Sequence, residues 1–290
     1  MREVVGLLLV LGIGCAVDDD VIVDETEQEG VSMNGVSLNG VSLNGVSMNG
    51  VSMNGVSMNG VSMNGISLAG VTLKAATTNG PPLSGTSAVG STWTAALSNG
   101  SSIKLRLDGA EQGTGTNNDL WFYKVSYQTK TGWNALCGAD YALPVAGVWS
   151  ATAAYSASTT QYTFSCRGKT IAKCVELGYK PHKGYANQLA SCTRLLRGDY
   201  CGTGVPYTSD GTTLNLYDNV GVQRDTQLLW IKEGEWGPNG ARCVTNLITT
   251  RFLERRLTLP PCVLSLISLT CGSFRSGTYL IDELPLLQPL

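Results

Sequence analysis

Histidine is almost missing from this chain, and its scarcity removes several classes of enzyme from consideration. His182 is the only histidine among 290 residues, so a Ser-His-Asp triad would depend on that one residue. No serine lies in a Gly-x-Ser-x-Gly sequence, the nucleophile elbow of many hydrolases. No two cysteines are spaced Cys-x-x-Cys, so the usual paired ligands of a zinc site are missing too. The sequence therefore predicts no metal, cofactor or catalytic residue.

The apolar run at the N-terminus is too short to cross a membrane. It follows Met1-Arg2-Glu3 and covers residues 4–14, whereas a spanning helix needs about 20 apolar residues. A short charged start followed by such a run is typical of a secretory signal peptide. We therefore predict that residues 1–14 are a signal peptide and that the rest of the chain is exported.

The end of this run, Gly12-Ile13-Gly14-Cys15, resembles a bacterial lipobox, with Gly12 where that motif usually has leucine. The resemblance implies that Cys15 is acylated and becomes the first residue of the mature protein. We therefore predict lipidation at Cys15 and a location in the cell envelope, at the outer membrane or the cell surface. The alternative is cleavage after Ala16 by an ordinary signal peptidase that recognises the small residues before it.

Charged side chains are unevenly distributed. Residues 31–73 carry none, and after residue 75 basic side chains only slightly exceed acidic ones and are scattered. Such a distribution does not predict nucleic-acid binding. Between the signal and residue 31 every charged side chain is acidic, so we predict an acidic tether at residues 15–30. Its acids are Asp18, Asp19, Asp20, Asp24, Glu25, Glu27 and Glu29.

Residues 31–75 repeat a five-residue unit, Val-Ser-(Met/Leu)-Asn-Gly. The first and third residues of a unit point to the same side of a strand, and Asn-Gly favours a turn. The units resemble the pentapeptide-repeat family, which implies a short right-handed β-helix whose ends are exposed. The alternative is a flexible stalk, since a segment rich in Gly, Ser and Asn can also act as a spacer.

The remaining cysteines are even in number and lie in an exported chain, which favours disulfides over free thiols. Their pairing does not follow from the sequence. They are Cys137, Cys166, Cys174, Cys192, Cys201, Cys243, Cys262 and Cys271.

The sequence of the C-terminal part predicts an α+β, disulfide-rich domain whose first half is rich in β-strands. Alternating and aromatic-rich segments predict strands, and an Asn-Gly pair at 99–100 predicts a hairpin between the first two. Helical patterns interrupt the strands twice. The predicted strands are near 92–97, 102–107, 120–127, 147–149, 161–164, 213–217 and 228–231, and the predicted helices are near 170–178 and 187–197.

Several blocks in this part, in order, resemble the ADYC domain. They include Cys166-Arg167-Gly168-Lys169, residues 172–181 and residues 190–202, with Gly198 in place of the alanine in Ala-Asp-Tyr-Cys. The resemblance covers 137–271 and implies an exported protein of myxobacteria or their relatives, without a known activity. We therefore predict a linker at 76–90 and an ADYC-like disulfide-rich domain at 91–290.

Three features could carry chemistry, and for each a structural role is favoured. Asp199 would raise the pKa of a Cys201 thiol, so we predict a disulfide at Cys201 and an N–H or arginine partner for Asp199. The segment 210–218 has oxygen ligands for Ca²⁺ but not the spacing of an EF-hand, so a hairpin turn is favoured. The six tryptophans could bind glycans but favour a packed core.

These observations favour a cell-envelope lipoprotein that acts as a structural or binding module rather than as an enzyme. Its predicted partners are the membrane, through the lipid anchor, and an envelope protein or a glycan, with no cofactor. The alternative is an exported hydrolase with a carboxylate-based site in the C-terminal domain. A cleft with converging acids of perturbed pKa would favour the hydrolase, and an exposed flat patch would favour the binding module.

Overall fold

The structure, a computed structural model, describes residues 46–47, 61–63, 66–68, 72–74, 85–96, 102–129, 131–150, 152–159, 161–208, 212–245, 251 and 258–285. The predicted signal peptide, Cys15, the acidic tether and most of the repeat lie outside these residues and stay predictions. In the part that is described, no helix is both long and apolar enough to cross a membrane.

The described chain is mostly β-sheet with few helices. In order, the strands are β1 (Val46–Ser47), β2 (Val61–Met63), β3 (Ile66–Leu68), β4 (Thr72–Lys74), β5 (Thr92–Ala96), β6 (Ser102–Gln112), β7 (Trp121–Thr129), β8 (Gly132–Ala135), β9 (Ala142–Ala146), β10 (Val148–Trp149), β11 (Tyr155–Ser156), β12 (Gln161–Cys166), β13 (Thr213–Asp218), β14 (Trp230–Gly237), β15 (Gly240–Val244) and β16 (Leu280–Pro285). The helices are α1 (Thr170–Glu176), α2 (Ala186–Arg197) and α3 (Val263–Leu266).

The first sheet closes into an antiparallel barrel. Its strands follow the order β6-β5-β4-β12-β9-β7, and β7 pairs again with β6, while β8 extends from β7. Large side chains that include Trp93, Leu105, Tyr123 and Phe164 fill one buried cluster of this sheet. Closure leaves the ring without an unpaired edge, which protects its backbone groups from pairing with other chains.

A second sheet packs with the helices against the outside of the barrel. It has the order β1-β13-β16-β14-β15, and α2 contacts β14, β15 and β16. The shared core contains Phe122 from β7, Leu189 and Leu195 from α2, and Trp236 from β14. Phe122 and its neighbour Tyr123 belong to different buried clusters because successive side chains of a strand point to opposite faces.

The sequence patterns locate both helices and several strands but miss others, and the strand predicted near 228–231 begins only at Trp230. The missed strands are β8, β9, β11, β15 and β16. Both predicted helices are present as α1 and α2, and the first two predicted strands, β5 and β6, pair antiparallel as a hairpin requires. The predicted β-rich first half and disulfide-tied second half are confirmed. The Asn-Gly pair expected at the hairpin turn lies outside the described residues.

The described pieces of the repeat are short strands with antiparallel partners. β2 pairs with β3, β1 pairs with β13 of the second sheet, and β4, from the last and most degenerate unit, lies between β5 and β12 in the barrel. A β-helix would stack its coils in parallel. Most repeat residues lie outside the described ones, so the β-helix and the stalk both stay predictions.

Candidate functional site

The eight cysteines of the C-terminal part form four disulfides, as predicted. The Cα atoms of each pair are 5.4 to 5.8 Å apart. One bond lies in the barrel and one joins α1 to α2. Of the other two, one ties the turn after α2 to the residue before α3, and one ties β15 to the chain after α3. The pairs are Cys137–Cys166, Cys174–Cys192, Cys201–Cys262 and Cys243–Cys271.

One group of ligand-type residues is a structural anchor rather than a metal site. Glu235, Cys243 and Cys271 offer atoms within 4.8 Å of one another, but the two cysteines share a disulfide. The Glu235 carboxylate accepts hydrogen bonds from the backbone N–H groups of Gly272 (2.7 Å) and Ser273 (2.8 Å), among others. Burial opposes its ionisation, but these donors outweigh burial and lower the pKa of Glu235.

The Asp199-Tyr200-Cys201 turn, directly after α2, is structural as predicted. The carboxylate of Asp199 pairs with the guanidinium of Arg194 and accepts hydrogen bonds from the backbone N–H groups of Thr203 and Gly204, at 3.1 and 2.8 Å. Cys201 is bonded to Cys262 and so offers no thiolate. Tyr200 points into the core, where its hydroxyl donates to Glu233.

The residue before this turn requires glycine. Gly198 has φ +59°, and a Cβ placed there would lie 2.7 Å from Oγ1 of Thr208. We expect Gly198→Ala to lower the free energy of unfolding by about 1–3 kcal/mol, since left-handed backbone strain adds to the close contact. Urea unfolding of the purified protein measures the change.

Two further variants separate strain from contact. Gly168 has φ +81° with nothing within 4 Å of an added Cβ, so Gly168→Ala should show the strain alone. Adding Thr208→Ala to Gly198→Ala should recover part of the loss because it removes the crowded oxygen. Equal losses in Gly198→Ala and Gly168→Ala would contradict the contact with Thr208.

A carboxylate cluster that the sequence does not predict lies between α2 and the second sheet. We define it as Tyr200, Glu233, Trp236, Arg251 and Asp282. Arg251 lies 3.1 Å from Oε2 of Glu233 and 3.2 Å from Oδ2 of Asp282. Trp236 donates its indole N–H to Oδ1 of Asp282 at 2.8 Å. Two carboxylates therefore share one guanidinium.

Burial sets the protonation of this cluster. It raises the pKa of Asp282 well above its usual value, and the charge of nearby Glu233 adds to the effect, whereas Arg251 opposes it. Burial likewise raises the pKa of Tyr200. One proton held by Asp282 would leave the Glu233–Arg251 pair close to neutral, which is the arrangement a buried site favours.

The carboxylate cluster has the residue types of a hydrolytic site but not its accessibility. Each of its side chains belongs to a residue with no more than 2 % of its surface exposed. A general acid or base must come within hydrogen-bond distance of its substrate, and these atoms face protein. The cluster therefore connects α2 to the second sheet as a buried ion-pair network.

β-Bulges explain why the sequence pattern misses this cluster. The register of β14 shifts between Lys232 and Gly234 against β16, and between Glu235 and Trp236 against β15. A bulge breaks the alternation of side chains, so Glu233, Glu235 and Trp236 are all buried within four residues. With strict alternation, Glu235 and Trp236 would point to opposite faces of the strand.

A second group of charges surrounds Asp119. Its carboxylate pairs with Lys180, lies 3.0 Å from Nε2 of His182 and lies 2.9 Å from Nζ of Lys183. Burial alone would raise the pKa of Asp119, but these hydrogen bonds outweigh it and hold the pKa well below its usual value. The single histidine thus belongs to a partly exposed ion-pair group, with its ring against a carboxylate.

The predicted turn in segment 210–218 is displaced along the chain. Residues 213–218 form β13, and Asp218 closes a turn after it by accepting hydrogen bonds from the backbone N–H groups of Val220, Gly221 and Gln223, at 2.6 to 2.8 Å. The hydroxyl of Tyr179 also donates to this carboxylate. Asp218 is therefore occupied by protein donors, and Asp210 lies outside the described residues.

The tryptophans pack mainly as predicted. Trp93, Trp149 and Trp236 are buried in the two core clusters. Trp133 is partly exposed and has the guanidinium of Arg106 over its ring, 4.6 Å from the centroid. The described tryptophans do not form one flat aromatic surface, because half of them are buried.

Aliphatic side chains, rather than aromatic ones, dominate the exposed apolar surface of the second sheet and its loops. Leu264 is 67 % exposed and Leu269 fully exposed, and both lie in the segment that the two disulfides hold. Leu228 and Leu229, just before β14, are also exposed. Leucines held outward by disulfides mark this region as a candidate binding surface.

Comparison with known proteins identifies the family but no activity. The family model of the ADYC domain matches residues 85–249, a segment that begins and ends earlier than the resemblance at 137–271. Neither the curated proteins nor the solved structures contain a match to this chain. Because the matched segment spans more than half of the sequence, the protein belongs to the ADYC domain family.

Proposed function

We propose that this protein is an exported, lipid-anchored binding module of the cell envelope, from a myxobacterium or a relative. The observation that carries the proposal is the combination of four disulfides with exposed leucines on the segment that two of them hold. Disulfides persist in exported proteins, and exposed apolar side chains on a rigid frame are suited to binding.

The N-terminal part supplies the attachment in this proposal. Acylation of Cys15 would anchor the mature chain, and more than one acyl chain gives stable anchoring. The acidic tether and the pentapeptide repeat would then separate the anchor from the ADYC domain. The converging carboxylates, Glu233 and Asp282, are fully buried, so they do not support the alternative, an exported hydrolase.

The intact mass of the protein from native membranes tests the proposal. We expect a chain that starts at Cys15 and carries acyl chains, with eight cysteines that alkylate only after reduction. The Cys15→Ser variant is the control and should lack the acyl mass and leave the membrane fraction. An unlipidated chain that starts at Val17, or cysteines that alkylate without reduction, would contradict the proposal.

A further inference from the structure

We propose that the folded domain itself docks onto an anionic phospholipid surface through an aliphatic loop, residues 259–269, with basic side chains around it. This inference goes beyond attachment through Cys15 and does not depend on it. It follows from the exposure of the loop, its rigidity and the sorting of charge around it.

The aliphatic loop presents large apolar side chains to solvent. Leu264 and Leu269 are largely or fully exposed, and Ile267 and Leu259 are about two-fifths exposed. Ser265 and Ser268 lie among them, and Thr258 and Thr270 flank the loop. Large apolar side chains with basic residues beside them suit the boundary between lipid headgroups and acyl chains.

The loop is held in place, so these side chains are not exposed by chance motion. Cys201–Cys262 fixes it near its start, and Cys243–Cys271 fixes the chain just after its end. In between, Ile267 bridges to Val244 at the edge of β15, and the N–H of Ser268 donates to the Val244 carbonyl at 2.9 Å. A preformed loop loses little conformational freedom on binding.

Charge is sorted by sign around the loop. Among the described residues from 225 to 285, four of the five acids are buried, at 3 % exposure or less, and Asp225, three residues before Leu228, is exposed. The cations Lys232 and Arg242 are exposed, and Arg275 is partly exposed and donates to Ser268 and Thr270 beside the loop. The buried acids are Glu233, Glu235, Asp282 and Glu283. The surface that remains is apolar with a basic rim, which is complementary to anionic lipid.

A second pair of leucines lies at the same end of the second sheet as Leu269. β15 runs antiparallel to β14 and the bridge at Ile267 is parallel to β15, so Leu269 lies toward the start of β14. Leu228 and Leu229 immediately precede that strand and are 89 % and 78 % exposed. Leu229 is held at φ +67°, a left-handed conformation that is strained for leucine.

Vesicle sedimentation tests the inference on the full chain in a Cys15→Ser background, where no acyl chain contributes. The vesicles are phosphatidylcholine alone, or phosphatidylcholine and phosphatidylglycerol in equal parts. We expect stronger binding to the anionic vesicles than to the neutral ones, and high salt should reduce the difference because exposed charges are screened. Leu264→Ser with Leu269→Ser should weaken it at least about tenfold. Lys232→Gln with Arg242→Gln should weaken it about tenfold.

A matched variant shows whether the position of the leucines matters. Val89 and Val220 are also exposed aliphatic residues, but they lie beside the barrel and beyond the opposite end of the second sheet. Val89→Ser with Val220→Ser should bind like the parent. Since the signal sequence is common to all variants, it cancels in these comparisons, and equal thermal unfolding of the variants confirms that each is folded.

Three results would overturn the inference. The first is equal binding to neutral and anionic vesicles, and the second is equal loss in the leucine and valine variants. The third is a parent chain that binds neither vesicle. If that chain were a dimer and the leucine variant a monomer, the loop would instead be a contact between copies of this protein.

Discussion

Arg251→Met is expected to lower the free energy of unfolding by about 3–5 kcal/mol, which is the usual effect of breaking a buried ion pair from one side. The guanidinium of Arg251 is the positive charge that pairs with both Glu233 and Asp282, and all three side chains are fully buried. Methionine fills much of the same volume, so the loss would come from the uncompensated carboxylates rather than from a cavity.

Arg251 also joins elements that are distant in the sequence. Its guanidinium donates to the carbonyl of Leu195 in α2, and its backbone N–H donates to Oε1 of Glu233 in β14 at 2.9 Å. The guanidinium carbon of Arg251 also lies over the ring of Trp236, 5.8 Å from the ring centroid. One side chain thus connects the long helix to the second sheet, and its loss should loosen that contact.

Equilibrium unfolding in urea measures the effect, with Arg242→Met as the control. Arg242 lies on β15 of the same sheet but is exposed, so its replacement should change stability by less than about 0.5 kcal/mol. Adding Glu233→Gln to Arg251→Met should recover part of the loss, because it removes the charge that Glu233 would otherwise hold without a partner. A loss in Arg251→Met no larger than in Arg242→Met would contradict the role of the carboxylate cluster.

The pH dependence gives the same prediction an independent readout. Arg251 opposes the increase in the pKa of Asp282, so its removal should raise that pKa further. A carboxyl whose pKa is higher in the folded state than in the unfolded state stabilises the fold below its unfolded pKa and loses that contribution as the pH rises. The deficit of Arg251→Met should therefore shrink as the pH is lowered through the pKa that Asp282 has in the folded parent protein, and it should stay constant below that pH.

Local signals in the sequence predict the features whose cause is local. The two helices follow from apolar spacing and a glycine after α2, and the structural role of Asp199 follows from the effect of a carboxylate on a neighbouring thiol. The carboxylate cluster has no such signal, because residues that are separated in sequence by up to about 80 positions meet only after the second sheet forms. The bulges in β14 then hide its acids from the alternation that identifies strands.

The barrel shows the same limit at the level of topology. Its strands β5 to β7 are visible in the sequence as alternating segments. Its closure depends on β4, a strand of three residues that belongs to the last unit of the repeat. That unit looks like decay of the repeat when the sequence is read alone. In the barrel, Lys74 stands where most of the other units have the asparagine of the Asn-Gly turn, and it is the last residue of β4.

Loss of the Cys201–Cys262 disulfide is the second change with a large expected effect. The bond closes a segment with a sequence separation of 61, and the chain-entropy model gives about 4 kcal/mol for a loop of that size. The segment includes Glu233, Trp236 and Arg251, so three of the five residues of the carboxylate cluster lie in the chain that this bond restrains. Cys201→Ala with Cys262→Ala should lower the free energy of unfolding by about that amount.

Limited proteolysis distinguishes this bond from the others. Without it, the loop would be held by the burial of Val263 and, near its end, by Cys243–Cys271 and the bridge to Val244. We expect new cleavage between residues 258 and 266 in the double alanine variant, because local opening exposes backbone to the protease. Cys137→Ala with Cys166→Ala is the control: it removes a barrel disulfide of separation 29 and should leave this region resistant.

The free energy of unfolding and the proteolysis pattern together distinguish a global effect of the Cys201–Cys262 bond from a local effect on the loop. A loss of stability without cleavage near α3 would mean that the bond acts on the unfolded chain alone, as the entropy model assumes. Cleavage near α3 in both variants would contradict a specific role of Cys201–Cys262. The expected pattern, cleavage in one variant only, would show that the bond beside the Asp-Tyr-Cys turn also fixes the loop. The same variant should then lose affinity for anionic vesicles although every exposed leucine is still present, since a loose loop must be ordered again on binding.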